Sequence, residues 1–275
     1  MEASILRMAK MTESVTDPML VFREPLRLAV SKLPRPVKLR AENSLDGFER
    51  ARRLIDIDRE MASFRAITAE EEAAAALFRS FQERKYPGAE LLSPKDHKHK
   101  AALGPFIQAV RHQLATTGKF TMTVQLDASA PSLTISLPMS QFGIDHPDNL
   151  HLTLVQPLGI VATFPGIEPD DHFDRSLKVV AGSRQVNKLI QSEANTRNHL
   201  LYASDSGLPR SKATLATIEM RQRRAEIALM LTIAVLQTEE LQGMATQCLG
   251  AFLKVLGCSK KDPSRPALGP DEKGS

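Results

Sequence analysis

Between residues 119 and 164 apolar and polar positions alternate, whereas on either side they recur at helical spacing. A period of two puts successive side chains on opposite faces of a strand; steps of three and four line one face of a helix. The alternation predicts four strands. Phe120, Met122, Val124 and Leu126 form the first, Leu133, Ile135 and Leu137 the second, Leu150, Leu152 and Leu154 the third, and 160–164 the fourth. The short connections, such as the turn at 127–131, favour antiparallel hairpins with one face covered by helices.

Before this block, Phe48, Ala51, Leu54, Ile55, Met61 and Phe64 predict a helix over about 44–64. Thr68 followed by Glu71 reads as a capping box opening a second helix, which Tyr86-Pro87-Gly88 stops. Ser93-Pro94 reads as a cap followed by proline at the first helical position, with a stripe through Leu103, Phe106, Ile107, Val110 and Leu114 beyond it. Gly104-Pro105 interrupts that stripe. Earlier still, Leu26, Leu28 and Val30 alternate like a short strand, and Pro34 and Pro36 point to an extended passage. After the β block, helical spacing covers about 169–202 and then 211–256, with Gly257 as terminator.

The fold class that follows is α+β: a helical N-terminal region, a small antiparallel sheet of about four strands, and a C-terminal helical hairpin. The organisation along the chain is an extended basic segment at 1–40, a helical region at 41–118, and the β block at 119–166. A C-terminal helical region at 167–257 and a disordered tail at 258–275 complete it.

Composition narrows the class without naming an activity. The chain has 275 residues, 42% hydrophobic and 25% charged, as is usual for a globular protein. Two cysteines form neither a disulfide framework nor a metal-type pair, which fits a reducing, cytoplasmic setting. No apolar run approaches the roughly 20 residues needed to span a bilayer, so no membrane partner is expected.

The formal charge of +4 is concentrated in places. Arg35, Lys38, Arg40, Arg50, Arg52 and Arg53, together with Arg221 and Arg224, are candidates for contact with nucleic-acid phosphates. Aromatic residues that would stack on bases are not interleaved with them. Leu241, Met244, Cys248, Ala251 and Val255 recur at three- and four-residue steps, a coiled-coil-like seam that is a candidate interface for self-association.

For catalysis, His151 and Thr153 stand two apart in a predicted strand and so share its polar face, opposite the leucines. The His-Leu-Thr-Leu stretch resembles one half of the signature of the 2H phosphoesterases, over about 148–154. The resemblance implies His151 as general acid or base on a phosphodiester and Thr153 as a phosphate-holding hydroxyl. That mechanism needs a second proton carrier, and no other His-x-Thr or His-x-Ser occurs in the chain.

Other polar clusters have structural readings. On a helix, His97 and His99 would not share a face, and three lysines around them disfavour a cation. Glu70, Glu71 and Glu72 read as the first turn of a helix, complementing its dipole. No phosphate-cradling glycine loop, nucleophile elbow or Cys/His pair for a thiol nucleophile is visible. The expectation is a non-catalytic interaction or assembly protein with no cofactor or metal, forming a homo-oligomer or engaging a partner protein, with nucleic acid as a possible ligand. The alternative is a phosphodiester-cleaving enzyme built on His151 and Thr153.

Overall fold

A computed structural model describes residues 5–7, 20–116, 123–144, 148, 150–159, 171–182, 185–202 and 210–258. Within these, the N-terminal region is helical earlier than the periodicity predicts. Helix α1 spans Arg23–Val30, where Leu26, Ala29 and Val30 are buried and Leu28 is exposed. These residues read as a strand only because Leu26, Leu28 and Val30 also fit a period of two. Pro34 precedes α2 (Arg35–Leu54), and Pro36 lies in its first turn. The missing amide of proline costs nothing there, so the two prolines start a helix rather than an extended passage.

The break between the next helices falls at 55–58, ten residues before the Thr68–Glu71 signal. Asp58 accepts from the Met61 amide at 2.9 Å and caps α3, Arg59–Glu83. Thr68 lies inside that helix, where its hydroxyl donates to the Arg65 carbonyl at 3.0 Å. Packing of α2 on α3 is close because small residues meet: a β-carbon on Gly47 would stand 2.8 Å from Cβ of Ala69.

The cap expected at Ser93 is supplied by Asp96, which accepts from Lys98 and opens the short α4, His97–Ala101. Helix α5, Leu103–Thr116, follows after Ala102. On the far side of the sheet sequence, Gly182 at φ +61° ends α6 (Asp171–Ala181) before α7 (Val186–His199). The final stretch also divides, into α8 (Leu215–Leu236) and α9 (Gly243–Leu256).

Helix α8 is buried on most of its circumference and packs against α1, α2, α3, α5 and the sheet, so it is the axis of the core. Helix α9 closes the other side of α3 with Phe252. Its ring meets Phe78 and Phe106 edge-on at 5.6 Å and 5.0 Å. Each such aromatic pair adds roughly 0.5–1.5 kcal/mol to the burial of the rings themselves. Gly257, at φ +70°, ends α9 with its amide on the Lys254 carbonyl.

The β block supplies three strands rather than four among the described residues: β2 (Thr123–Asp127), β3 (Ser132–Pro138) and β4 (His151–Leu154). The expected strand at 160–164 lies outside the described residues. A three-residue segment, β1 (Ile5–Arg7), pairs with β2, giving an antiparallel order β1-β2-β3-β4. Leu126 faces Leu133 in the register, and both are buried. The α8 C-terminus is tied to the same point by Gln237. Its Oε1 accepts from the Leu133 amide at 2.7 Å, and its Nε2 donates to the Leu133 and Val155 carbonyls. The α+β class holds.

Candidate functional site

The densest chemistry of the molecule is not on the sheet but beneath α4, where α3, α5, α7 and α8 converge. Glu70 and Glu71 come from the middle of α3, a helix whose other inward residues are mostly alanine. Both are buried, at 5% exposure. They sit far from the helix end, so they do not complement its dipole as their expected first-turn position would have done. Buried carboxylates need partners, and here distant segments provide them.

Glu70 lies against α8. Arg221 donates from Nη1 to Oε2 at 2.5 Å, Arg224 donates from Nη2 to the same oxygen at 3.2 Å, and Nε of Arg224 stands 2.8 Å from Oε1. Arg221 also donates from Nη2 to Glu193 on α7 at 3.0 Å. Burial pulls the Arg221 guanidinium down, but Glu70 and Glu193 outweigh it and hold it above its ordinary value. Glu71 takes Lys100 Nζ at 3.0 Å and His97 Nδ1 at 2.9 Å. Ile67, Ala101 and Gly104 complete the walls of the small hollow between these groups.

Three carboxylates, Glu70, Glu71 and Glu193, therefore meet three permanent cations, Lys100, Arg221 and Arg224. Arg197 of α7 adds a fourth cation at the edge of this cluster, 2.6 Å from Nε2 of His97. What the arrangement does is lock four helices together. A second buried network ties α1 and α2 to α8: Glu226 receives Arg23 Nε at 2.9 Å and Gln222 Nε2 at 2.5 Å, while Arg52 donates to Gln222 at 2.7 Å.

This geometry removes three of the basic candidates from any phosphate surface. The guanidiniums of Arg221 and Arg224 are turned inward onto Glu70, and Arg52 is committed to Gln222. Burial, followed by the charge of Arg23, lowers the Arg52 pKa. Arg40 pairs with Glu72 at 3.4 Å and Lys38 with Glu42 at 3.8 Å. Arg35, Arg50 and Arg53 are exposed on α2.

The seam residues are similarly drawn inward. Leu241 belongs to the turn between α8 and α9 and is exposed, so it does not continue the helical stripe. Ala251 is fully buried, and Met244, Cys248 and Val255 pack on the chain's own core. Burial raises the Cys248 thiol from 9.0 to about 12.

His151 and Thr153 are both exposed on β4. Thr153 is paired across the ladder with Ser136, the two hydroxyl oxygens 3.2 Å apart, and His151 is opposite Pro138. The structure thus sets a hydroxyl pair beside the imidazole but brings none of the other described histidines or lysines into contact with it.

His97 and His99 diverge, as a helical α4 requires. His99 instead brings together a pair that the sequence did not show: its Nε2 is 3.6 Å from Sγ of Cys258. Nδ1 of His99 accepts from the Ser93 amide at 3.1 Å. The ring proton therefore sits on Nε2, which donates toward the sulfur and has no free lone pair with which to take a proton from it. Among the described residues no group of three or more His, Cys, Asp or Glu is placed to hold a metal ion.

The signal for the buried network was present but of another kind. Two adjacent carboxylates in the middle of a helix whose other inward residues are mostly alanine, as at Glu70-Glu71, must be buried with partners. Comparison with protein-family models, with curated proteins and with solved structures gave no match.

Proposed function

We propose that this protein is a non-catalytic assembly component that self-associates through the β4 end of its sheet. The observation that supports this reading is a run of large apolar side chains open to solvent there: Phe142, Ile144, Leu150, Leu152 and Val155, the last at 72% exposure. The loop and the strand form one unit, because the Met139 amide donates to the Leu150 carbonyl at 2.8 Å. Exposed apolar residues scattered singly need no explanation, but a cluster rimmed by polar groups marks an interaction surface.

The strand itself favours a second copy as the occupant. No described residue pairs with the outer edge of β4. Edge strands are commonly guarded by charged residues or proline, yet between 150 and 156 the only titratable side chain is His151. An antiparallel copy of β4 added to that edge keeps leucines on one face and His151 and Thr153 on the other.

Nucleic-acid binding has less support. Arg35 and Arg53 lie 18 residues apart on one helix, about 27 Å along its axis, and the cations between them are largely paired within the chain. No helix among the described residues is long and apolar enough to cross a membrane.

Hydrogen exchange at two protein concentrations tests the proposal. The amides of 151–155 gain protection as concentration rises if copies pair along β4. Protection that does not change with concentration contradicts it.

A further inference from the structure

We propose that the end of the fold where α3 and α8 begin is a docking surface for an acidic peptide segment of a partner protein. Helices α3 and α8 run in the same direction. Glu60 Oε1 accepts from the Ser211 amide at 2.8 Å, Glu70 meets Arg221 and Arg224 further along, and Arg84 reaches the Leu236 carbonyl at the far end. Both first turns therefore lie together, beside the last turn of α2 and the connection at 55–58.

Apolar side chains face solvent at this end. The amides of Ile57 and Asp58 both donate to the Leu54 carbonyl, at 2.9 Å and 2.7 Å, closing a turn that buries Ile55 and leaves Ile57 outside. Ile57 is the most exposed large apolar side chain of the described residues, at 82%. Met61 of α3 and Leu215 of α8 are exposed as well.

Four cations surround them. Arg53 ends α2, Arg59 starts α3, and Arg210 and Lys212 flank Ser211. All four are exposed, and none has an ion-pair or hydrogen-bond partner among the described residues. Two of the nearby acids are engaged by backbone, Asp58 by the Met61 amide and Glu60 by the Ser211 amide. Asp56 is the exposed one. The dipoles of α3 and α8 add positive potential at the same end. An apolar centre with arginines around it is the composition of a protein interface, and a guanidinium matches a carboxylate through two parallel hydrogen bonds.

The same features decide against other occupants. A second copy would set four cations against four. Asp56 and Asp58 flank Ile57, so its insertion into an anionic lipid surface would carry two carboxylates with it. Neither 53–61 nor 210–215 contains an aromatic residue to stack on a base.

The test is fluorescence anisotropy of the full chain with a labelled synthetic peptide, its leucines at helical spacing and separated by glutamates and aspartates. The peptide binds, and more weakly as salt rises. A counterpart with glutamine and asparagine in place of the acids binds about tenfold more weakly. Ile57→Ser, and Arg59→Glu combined with Lys212→Glu, each weaken binding about tenfold. Circular dichroism stays unchanged, because all three side chains are exposed. The proposal is overturned if the acidic peptide does not bind, if the uncharged counterpart binds as well, or if the variants bind as wild type does. Binding of an oligodeoxythymidine or of phosphatidylserine vesicles that these variants abolish would assign the surface to nucleic acid or lipid and would also overturn it.

Discussion

A β-carbon on Gly104 would stand 2.6 Å from Nη1 of Arg224 and 3.4 Å from Oε1 of Glu70. The first turn of α5 thus leaves room for a guanidinium to reach a buried carboxylate, and glycine is what makes that room. Replacing a helical glycine by alanine ordinarily stabilises by roughly 1 kcal/mol. Here the displaced Arg224 leaves Glu70 short of a partner, and breaking a buried pair costs about 3–5 kcal/mol. Gly104→Ala is therefore expected to destabilise by about 2–4 kcal/mol net. Urea unfolding followed by circular dichroism measures it, and a stabilised variant would show that Arg224 has another place to go.

Glu70 is the carboxylate on which both α8 arginines converge. Glu70→Gln removes the charge but keeps the shape, stranding Arg224 at 6% exposure. The expected loss is about 3–5 kcal/mol. Combining it with Arg224→Met removes the orphaned charge and recovers part of that loss, giving a coupling of about 1–3 kcal/mol in a double-mutant cycle. Additive losses would mean that the two residues do not act together.

How much of this was legible in the sequence depends on whether the signal was local. The alternation at 123–127, 132–138 and 151–154 and the Gly257 stop use neighbouring residues only, and these three strands and that stop appear as expected. Thr68 and Glu71 look like a local cap, but the cluster is built by residues about 150 positions away, Arg221 and Arg224, and no local motif records that. The seam through Met244, Cys248, Ala251 and Val255 was visible as a stripe, but a stripe does not say whether it faces the chain's own core or a second copy. In the fold it faces its own core. The sheet-edge cluster was written as strand and loop residues, and only the order of strands leaves it at an end.

Cys248 carries a pH dependence with a definite sign. Its folded thiol, pushed by burial to about 12, stays protonated where the unfolded thiol, near 9.0, ionises. The native state then binds more protons than the unfolded one, so stability falls as pH rises from about 9 to about 12 and is unaffected below that window. Wild type is expected to lose more denaturant resistance between pH 9 and 10.5 than Cys248→Ala does. A thiol reagent at pH 8 should modify Cys248 faster in the unfolded chain than in the native protein; equal rates would contradict its packing on the core.

His151 is exposed, with Pro138 as its cross-strand partner. His151→Ala is expected to change stability by less than about 0.5 kcal/mol. Hydrolysis of a chromogenic phosphodiester by the parent protein should remain at the buffer rate. Turnover that disappears with His151 would instead support the phosphodiesterase reading and count against a non-catalytic role.

The central claim is that the outer edge of β4, with which no described residue pairs, joins copies of this chain. Light scattering coupled to size-exclusion chromatography tests it most directly, on wild type beside Leu152→Lys. Leu152 is 44% exposed, so the lysine is tolerated by the monomer but faces its own copy across an antiparallel edge. The account predicts a wild-type mass that is a multiple of 30.3 kDa and a Leu152→Lys mass equal to it. A wild-type monomer at high concentration, or a multimer that the lysine leaves intact, would contradict it.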